Sequence, residues 1–136
     1  MEYEGEFLYD KLWNGKGYDE NGNIIYELIN GTGKVKEYDE YGKLIFAGEY
    51  LNGKRNGKGK KYFKGKLIFE GEYLNGKRNG KGKKYYKGKL EFEGEYLNGK
   101  RNGSGKEYDG NGNLLFEGEY LNDNRVDVWI IFIKYS

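Results

Sequence analysis

The sequence predicts an all-β fold, an elongated and twisted single-layer antiparallel meander of tandem hairpins. Three observations point to it. Phe46, Phe69 and Phe92 open near-identical stretches 23 residues apart, and Phe116 opens another after 24, a period typical of repeats that pack on their neighbours. Within each stretch the side chains alternate with period two and never with helical spacing. Finally, 24 glycines occur without one proline, and aromatic residues make up 18% of a chain that is only 36% hydrophobic. Tight turns and tyrosine-rich faces suit that mixture better than an aliphatic core.

The hairpin units are expected near residues 3–25, 26–45, 46–68, 69–91 and 92–115, with a half unit and a terminal cap strand over 116–136, all within one domain. The first unit opens with Tyr3-Glu4-Gly5-Glu6-Phe7 and carries one extra residue before Asn14-Gly15. The second is degenerate, with a strand over Ile24 to Ile29 and an abbreviated turn at Asn30-Gly31-Thr32-Gly33. The next three are regular. At the junction of the third and fourth, in Lys66 to Leu74 (KLIFEGEYL), Leu67, Phe69, Gly71 and Tyr73 share one face, while Ile68, Glu70, Glu72 and Leu74 share the other. Gly71 argues against a helix.

A loop over Asn75 to Gly80 then leads into a second short strand, KGKKYY. Centring that loop between Lys77 and Arg78 sets Tyr73 opposite Gly82, where a ring shields bare backbone, and Glu72 opposite Lys83. The turn over Tyr86 to Leu90 reads as a three-residue loop with a left-handed Gly88. It sets Lys83 opposite Glu93 and Gly82 opposite Gly94. The turns Asp19 to Gly22, Asp39 to Gly42 and Asp109 to Gly112 are one residue longer and also end in glycine. One face thus gathers Leu, Phe and Tyr over glycines, the other a Glu/Lys ladder with an occasional Tyr. With no helix to form a second layer, the aromatic face is expected to stay uncovered.

Composition narrows the chemistry. Without Cys or His there are no disulfides, thiolate or imidazole metal sites, or His-based acid–base catalysis. No apolar run is long enough to span a membrane as a helix, and Met1-Glu2-Tyr3 lacks the features of a secretory signal, so the expected location is cytoplasmic. The net charge of +2 is uneven: residues 1–45 carry −5, residues 46–106 carry +11 and residues 107–136 carry −4.

The run FEGEYLNGKRNGKG resembles the MORN repeat, whose pattern is roughly Y-x-G-x-aromatic-x-N-G-K-x-H-G-x-G. Phe69, Gly71, Tyr73, Asn75, Gly76, Lys77, Gly80 and Gly82 occupy its positions, and the units from Phe46 and Phe92 repeat them. The likeness covers about residues 3–125 and is strong from Phe46 to Gly105. Departures are Phe for the first Tyr, and Asn56, Asn79 and Asn102 for the His. The turn-plus-Gly-Lys-Leu phrasing is similar to the bacterial variant of the repeat, found in antitoxin-like proteins. The resemblance implies a twisted β-sheet that binds proteins as a scaffold, with membrane association also proposed for the family, and no catalysis by the repeats.

Two binding readings follow. In the first, Phe46, Tyr50, Phe69, Tyr73, Phe92, Tyr96, Phe116 and Tyr120 form an aromatic stripe that holds a protein or peptide partner; the same rings, taken singly, also cover their own glycines. In the second, Lys54, Arg55, Lys77, Arg78, Lys100 and Arg101 form a row at the loop tips that meets an anionic phospholipid surface, or simply protects a sheet edge. Acidic flanks weigh against nucleic acid. The apolar stretch Val126 to Tyr135, with Trp129, Ile131 and Ile133, is read as a terminal cap or as a homodimer edge. Glu70/Glu72 and Glu93/Glu95 stand beside lysines as a ladder, not a catalytic pair. Neither a phosphate loop nor a calcium loop is complete. No cofactor, metal or catalytic residue is expected.

Overall fold

A computed structural model describes the backbone of residues 2–8, 11–18 and 24–126 and the side chains of 28–126. Twelve strands form one open antiparallel sheet in chain order. They are β1 (Glu2–Leu8), β2 (Lys11–Tyr18), β3 (Ile24–Ile29), β4 (Thr32–Tyr38), β5 (Leu44–Leu51) and β6 (Lys54–Phe63), followed by β7 (Lys66–Leu74), β8 (Lys77–Tyr86), β9 (Lys89–Leu97), β10 (Lys100–Tyr108), β11 (Leu114–Leu121) and β12 (Asn124–Arg125). The expected hairpin meander is therefore present, and among the described residues there is no helix. Val126 is the last described residue, so the cap or dimer reading of Trp129, Ile131 and Ile133 lies outside the described residues.

A line of glycines crosses the sheet at right angles to the strands. Gly48 pairs with Gly59, Gly59 with Gly71, Gly71 with Gly82, Gly82 with Gly94, Gly94 with Gly105 and Gly105 with Gly118. On one face this line is roofed by Phe. A Cβ added to Gly82 would lie 2.5 Å from the Phe69 ring, and one added to Gly71 would lie 2.6 Å from the Gly82 Cα. The roofing Phe46, Phe69 and Phe92 are at most 1% exposed. At about 1.5–3 kcal/mol per buried side chain, these rings are the main apolar stabilisation of a sheet with no second layer. Beyond Gly48 the line ends at Val35, its cross-strand partner. There a smaller core of Leu28 and Val35 replaces the ring, which is the structural counterpart of the degenerate second unit.

The turns depart from the expected register, for one physical reason: dipeptides ending in Gly, with both residues at positive φ, match the right-handed strand twist. The hairpin β7–β8 closes on Asn75 and Gly76 alone (φ 50° and 88°), with Leu74 facing Lys77. Lys77 to Gly80 belongs to the strand and not to a six-residue loop. A bulge then restores the glycine line, so Gly71, not Tyr73, faces Gly82, and Lys83 faces Glu70, not Glu72. Glu72 has a different task. Its carboxylate accepts the Lys81 N–H at 2.6 Å and occupies the space that a side chain at Gly80 (φ 100°) would need. Glu49 and Glu95 do the same for Lys58 and Ser104.

The hairpin β8–β9 likewise closes on two residues, Lys87 and Gly88, rather than three. Glu91 is the extra residue of a bulge, and the predicted pairs Gly82–Gly94 and Lys83–Glu93 both form. The predicted turn with a left-handed glycine occurs in the longer loops. The Gly42 N–H donates to the Asp39 carbonyl at 3.0 Å, and Asp39 Oδ1 accepts from Tyr41 and Lys43.

Successive units are also tied along one edge. The Gly76 and Gly99 N–H groups donate to the carbonyls of Arg55 and Arg78, both at 2.8 Å, and Asp123 donates to Arg101 at 2.9 Å.

The glycine line yields the first test. Gly82→Ala should destabilise the chain by about 1–3 kcal/mol through overpacking against Phe69. Gly110→Ala, with nothing within 4 Å of the added carbon, should change stability by less than about 0.5 kcal/mol. Urea denaturation of both variants checks the contrast.

Candidate functional site: an arginine-roofed aromatic face and a glycine-floored groove

The aromatic stripe exists as a continuous edge-to-face chain. Phe46 meets Tyr73 at 5.3 Å, Phe69 meets Tyr96 at 5.2 Å and Phe92 meets Tyr120 at 5.2 Å, all with nearly perpendicular planes. Such pairs add about 0.5–1.5 kcal/mol each beyond their burial. The expectation that this face is uncovered is corrected. Phe46, Phe69, Tyr73, Phe92, Tyr96 and Tyr120 are buried, and Tyr50 and Phe116 are partly so. The rings cover one another, and arginines lie over them.

Those arginines belong to the predicted basic row. Arg55 stands 4.1 Å from the Phe46 ring centre, Arg78 4.0 Å from Phe69, and Arg101 4.9 Å from Tyr120. The Lys-Arg row is thus split by function. Lys54, Lys77 and Lys100 are exposed at the edge, while Arg55, Arg78 and Arg101 fold back as half-buried roof. Each arginine follows its turn by one residue more than the lysine, so strand alternation sends it to the ring face.

Carboxylates hold this roof at both ends. Glu37 receives two hydrogen bonds from Arg55, at 2.9 and 3.2 Å. Glu107 accepts from Arg101 at 3.1 Å, from the Tyr120 hydroxyl at 2.5 Å, and from Arg125. These contacts, the Arg125 hydrogen bond foremost, hold the Glu107 carboxyl below its ordinary range. Burial, with the adjoining carboxylates, pushes the phenols of Tyr50 and Tyr120 up to about 12.

The opposite face is a groove of about 900 Å³. Its floor is the bare backbone of the glycine line, and its walls include Glu70, Glu93, Lys81 and Lys83. Tyr85 and Tyr108 donate to Glu70 and Glu93 at 2.6 and 2.7 Å, bracing the walls.

The chain matches the MORN repeat over residues 41–66, 69–89 and 92–114, just over half its length. The chain belongs to the MORN-repeat family. No curated protein matches the sequence. MORN repeats are interaction modules, known in scaffold and phospholipid-binding proteins, and are not an enzyme family.

Within the MORN pattern, the Asn residues standing where the family has His carry a structural task. Asn56 and Asn79 accept the N–H of Asn75 and Asn98, each at 3.2 Å, and Asn102 accepts that of Asn122 at 3.4 Å. Each holds the turn of the next repeat. The sequence reading missed Glu37, Lys61, Lys84 and Glu107, which face the stripe phenylalanines across the strands. One charge per repeat at this position, in the order Glu, Lys, Lys, Glu, was the available signal.

The pH response of this face can be stated with its sign. Tyr50 and Tyr120 have folded pKa values raised above 10, so their contribution is complete below about pH 10. It should fall as pH rises towards about 12. Glu107, depressed from 4.5, should contribute above that value and lose its contribution as pH falls through the lower folded value. Urea midpoints across pH should therefore drop at both extremes, and Tyr120→Phe with Glu107→Gln should flatten both limbs.

Proposed function

We propose that this MORN-repeat chain is a non-catalytic scaffold that holds an extended segment of a partner protein in the Glu/Lys groove. The observation that carries this reading is the groove itself, which runs from Ala47 to Glu119 over a glycine floor. Its volume of about 900 Å³ falls in the range of built ligand sites. Without side chains on the floor, a partner backbone can approach closely, and walls of both signs offer donors and acceptors along its length. The stripe supports the groove from behind: Phe46, Phe69 and Phe92 have almost no surface to offer a partner.

A second reading keeps part of the basic row. Lys54, Lys77 and Lys100 remain exposed along one edge and would together give about 3 kcal/mol on an anionic leaflet, at about 1 kcal/mol each.

One selection experiment separates the two. Peptides chosen from a random display library against the intact chain should lose about tenfold or more in affinity on Glu70→Lys with Glu93→Lys, and less than about twofold on Lys54, Lys77 and Lys100→Glu. Circular dichroism confirms folding of each variant. Peptides indifferent to the groove variant, together with phosphatidylserine vesicle binding abolished by the lysine variant, would replace the first reading with the second.

A further inference from the structure

The position opposite each stripe Phe changes sign along the chain. Glu37 faces Phe46, Lys61 faces Phe69, Lys84 faces Phe92 and Glu107 faces Phe116. Where it is Glu, its carboxylate binds the arginine roof and stands beside the stripe phenol, as at Arg55 with Tyr50 and at Arg101 and Arg125 with Tyr120. Where it is Lys, that acceptor is missing. Among the described residues, the hydroxyls of Tyr73 and Tyr96 are buried without a hydrogen-bond partner, in residues only 5% exposed. Buried polar groups are normally paired, so two orphans in equivalent places mark a specific vacancy of chemistry.

The surrounding charge has the matching sign. The Arg78 guanidinium lies over Phe69 and 5.9 Å from the Tyr96 ring. It acts on both phenols without forming an aligned hydrogen bond, and, being only a donor, it cannot accept their protons. Among the described residues Arg78 makes no ion pair. Lys61, partly buried, is pressed by the charges of Arg78 and Arg55, with Glu37 the opposing charge. Among the described residues, Lys84 makes one distant, exposed ion pair, with Glu91 at 3.9 Å. Beside Tyr96 a cavity of about 510 Å³ is lined by Arg78, Lys84 and Arg101 and equally by Glu91, Glu107 and Asp123. Glu107 and Asp123 are engaged by Arg101.

We infer that the two central repeats are a receptor for acidic side chains of a partner protein, each carboxylate taking at Tyr73 or Tyr96 the place that Glu37 and Glu107 take at the flanks. The chain's own flanking sites specify the ligand as a carboxylate: a planar acceptor for a guanidinium fork that also receives a phenol proton. The two vacancies lie one hairpin apart, about 9–10 Å at two strand spacings. A partner segment in the polyproline II conformation, with Asp or Glu at i and i+3 on one face at about 3.1 Å per residue, spans them. This site lies on the face opposite the groove, so it stands whether or not the groove holds a peptide.

The probe is a fluorescein-labelled acetyl-Gly-Gly-Glu-Gly-Gly-Glu-Gly-Gly-amide, compared with its Gln counterpart by anisotropy at low salt. The Glu peptide should bind about tenfold or more tighter than the Gln peptide, with the difference shrinking as salt rises. Lys61→Glu with Lys84→Glu supplies the carboxylates internally. That variant should bind the Glu peptide no better than the Gln peptide, while its melting temperature rises. Tyr73→Phe with Tyr96→Phe, which removes only the orphan hydroxyls, should weaken the Glu peptide about threefold or more. Equal binding of the two peptides, or undiminished binding by the Lys→Glu variant, overturns the inference. So does stronger binding of a phosphoserine peptide or of phosphatidylserine vesicles.

Discussion

Everything in this sheet depends on a benzyl ring packed over two glycines that face each other across neighbouring strands. A single-layer sheet has no opposing core to bury its apolar side, so its stabilisation must come from side chains packed on their own backbone. Phe69 achieves this by covering Gly71 and Gly82 together, and any added carbon there meets ring or backbone. The same strands shape both faces at once: a carbon added to these glycines would enter the ring face, while their neighbours Glu70, Glu72, Lys81 and Lys83 project to the groove by strand alternation. Groove and stripe are thus two views of one packing solution.

The arginines complete that solution. A guanidinium over an aromatic face gains about 0.5–2 kcal/mol depending on desolvation, and its aliphatic stem covers ring surface while the head stays near water. Arg55, Arg78 and Arg101 therefore act as the second layer that the fold lacks. Once they are placed so, their charge must be balanced. Glu37 and Glu107 provide that balance at either end of the regular stretch, and the lysines between them leave the middle of the roof strongly cationic.

Much of this was readable from the residues. Period, strand alternation, the opposed faces and the Gly82–Gly94 and Lys83–Glu93 pairs follow from spacing alone. The turn register at Asn75 did not, because six residues of similar polarity admit several closures, and only the preference of Asn-Gly for paired positive φ selects one. The bulge at Gly80 is similarly hidden, since its cause is a carboxylate eight residues earlier in the chain. Exposure of the stripe was misjudged because composition cannot show that Arg78 folds back while Lys77 does not. Strand parity distinguishes the two once the turn is known. The candidate site needed both corrections before Lys61 and Lys84 could be seen as replacements for an acid.

From Arg55 onward, the edge bonds from each turn to the preceding arginine carbonyl connect only immediate neighbours and join equivalent backbone atoms, whereas Gly53 donates to the Gly31 carbonyl of the degenerate unit. Removing one whole internal unit would bring together partners of the same kind as those it separated. A cut that is not a whole unit would send every ring past its glycines. The molecule is therefore modular in quanta of one hairpin pair, and evolution can lengthen or shorten it as one edits a chain of identical links.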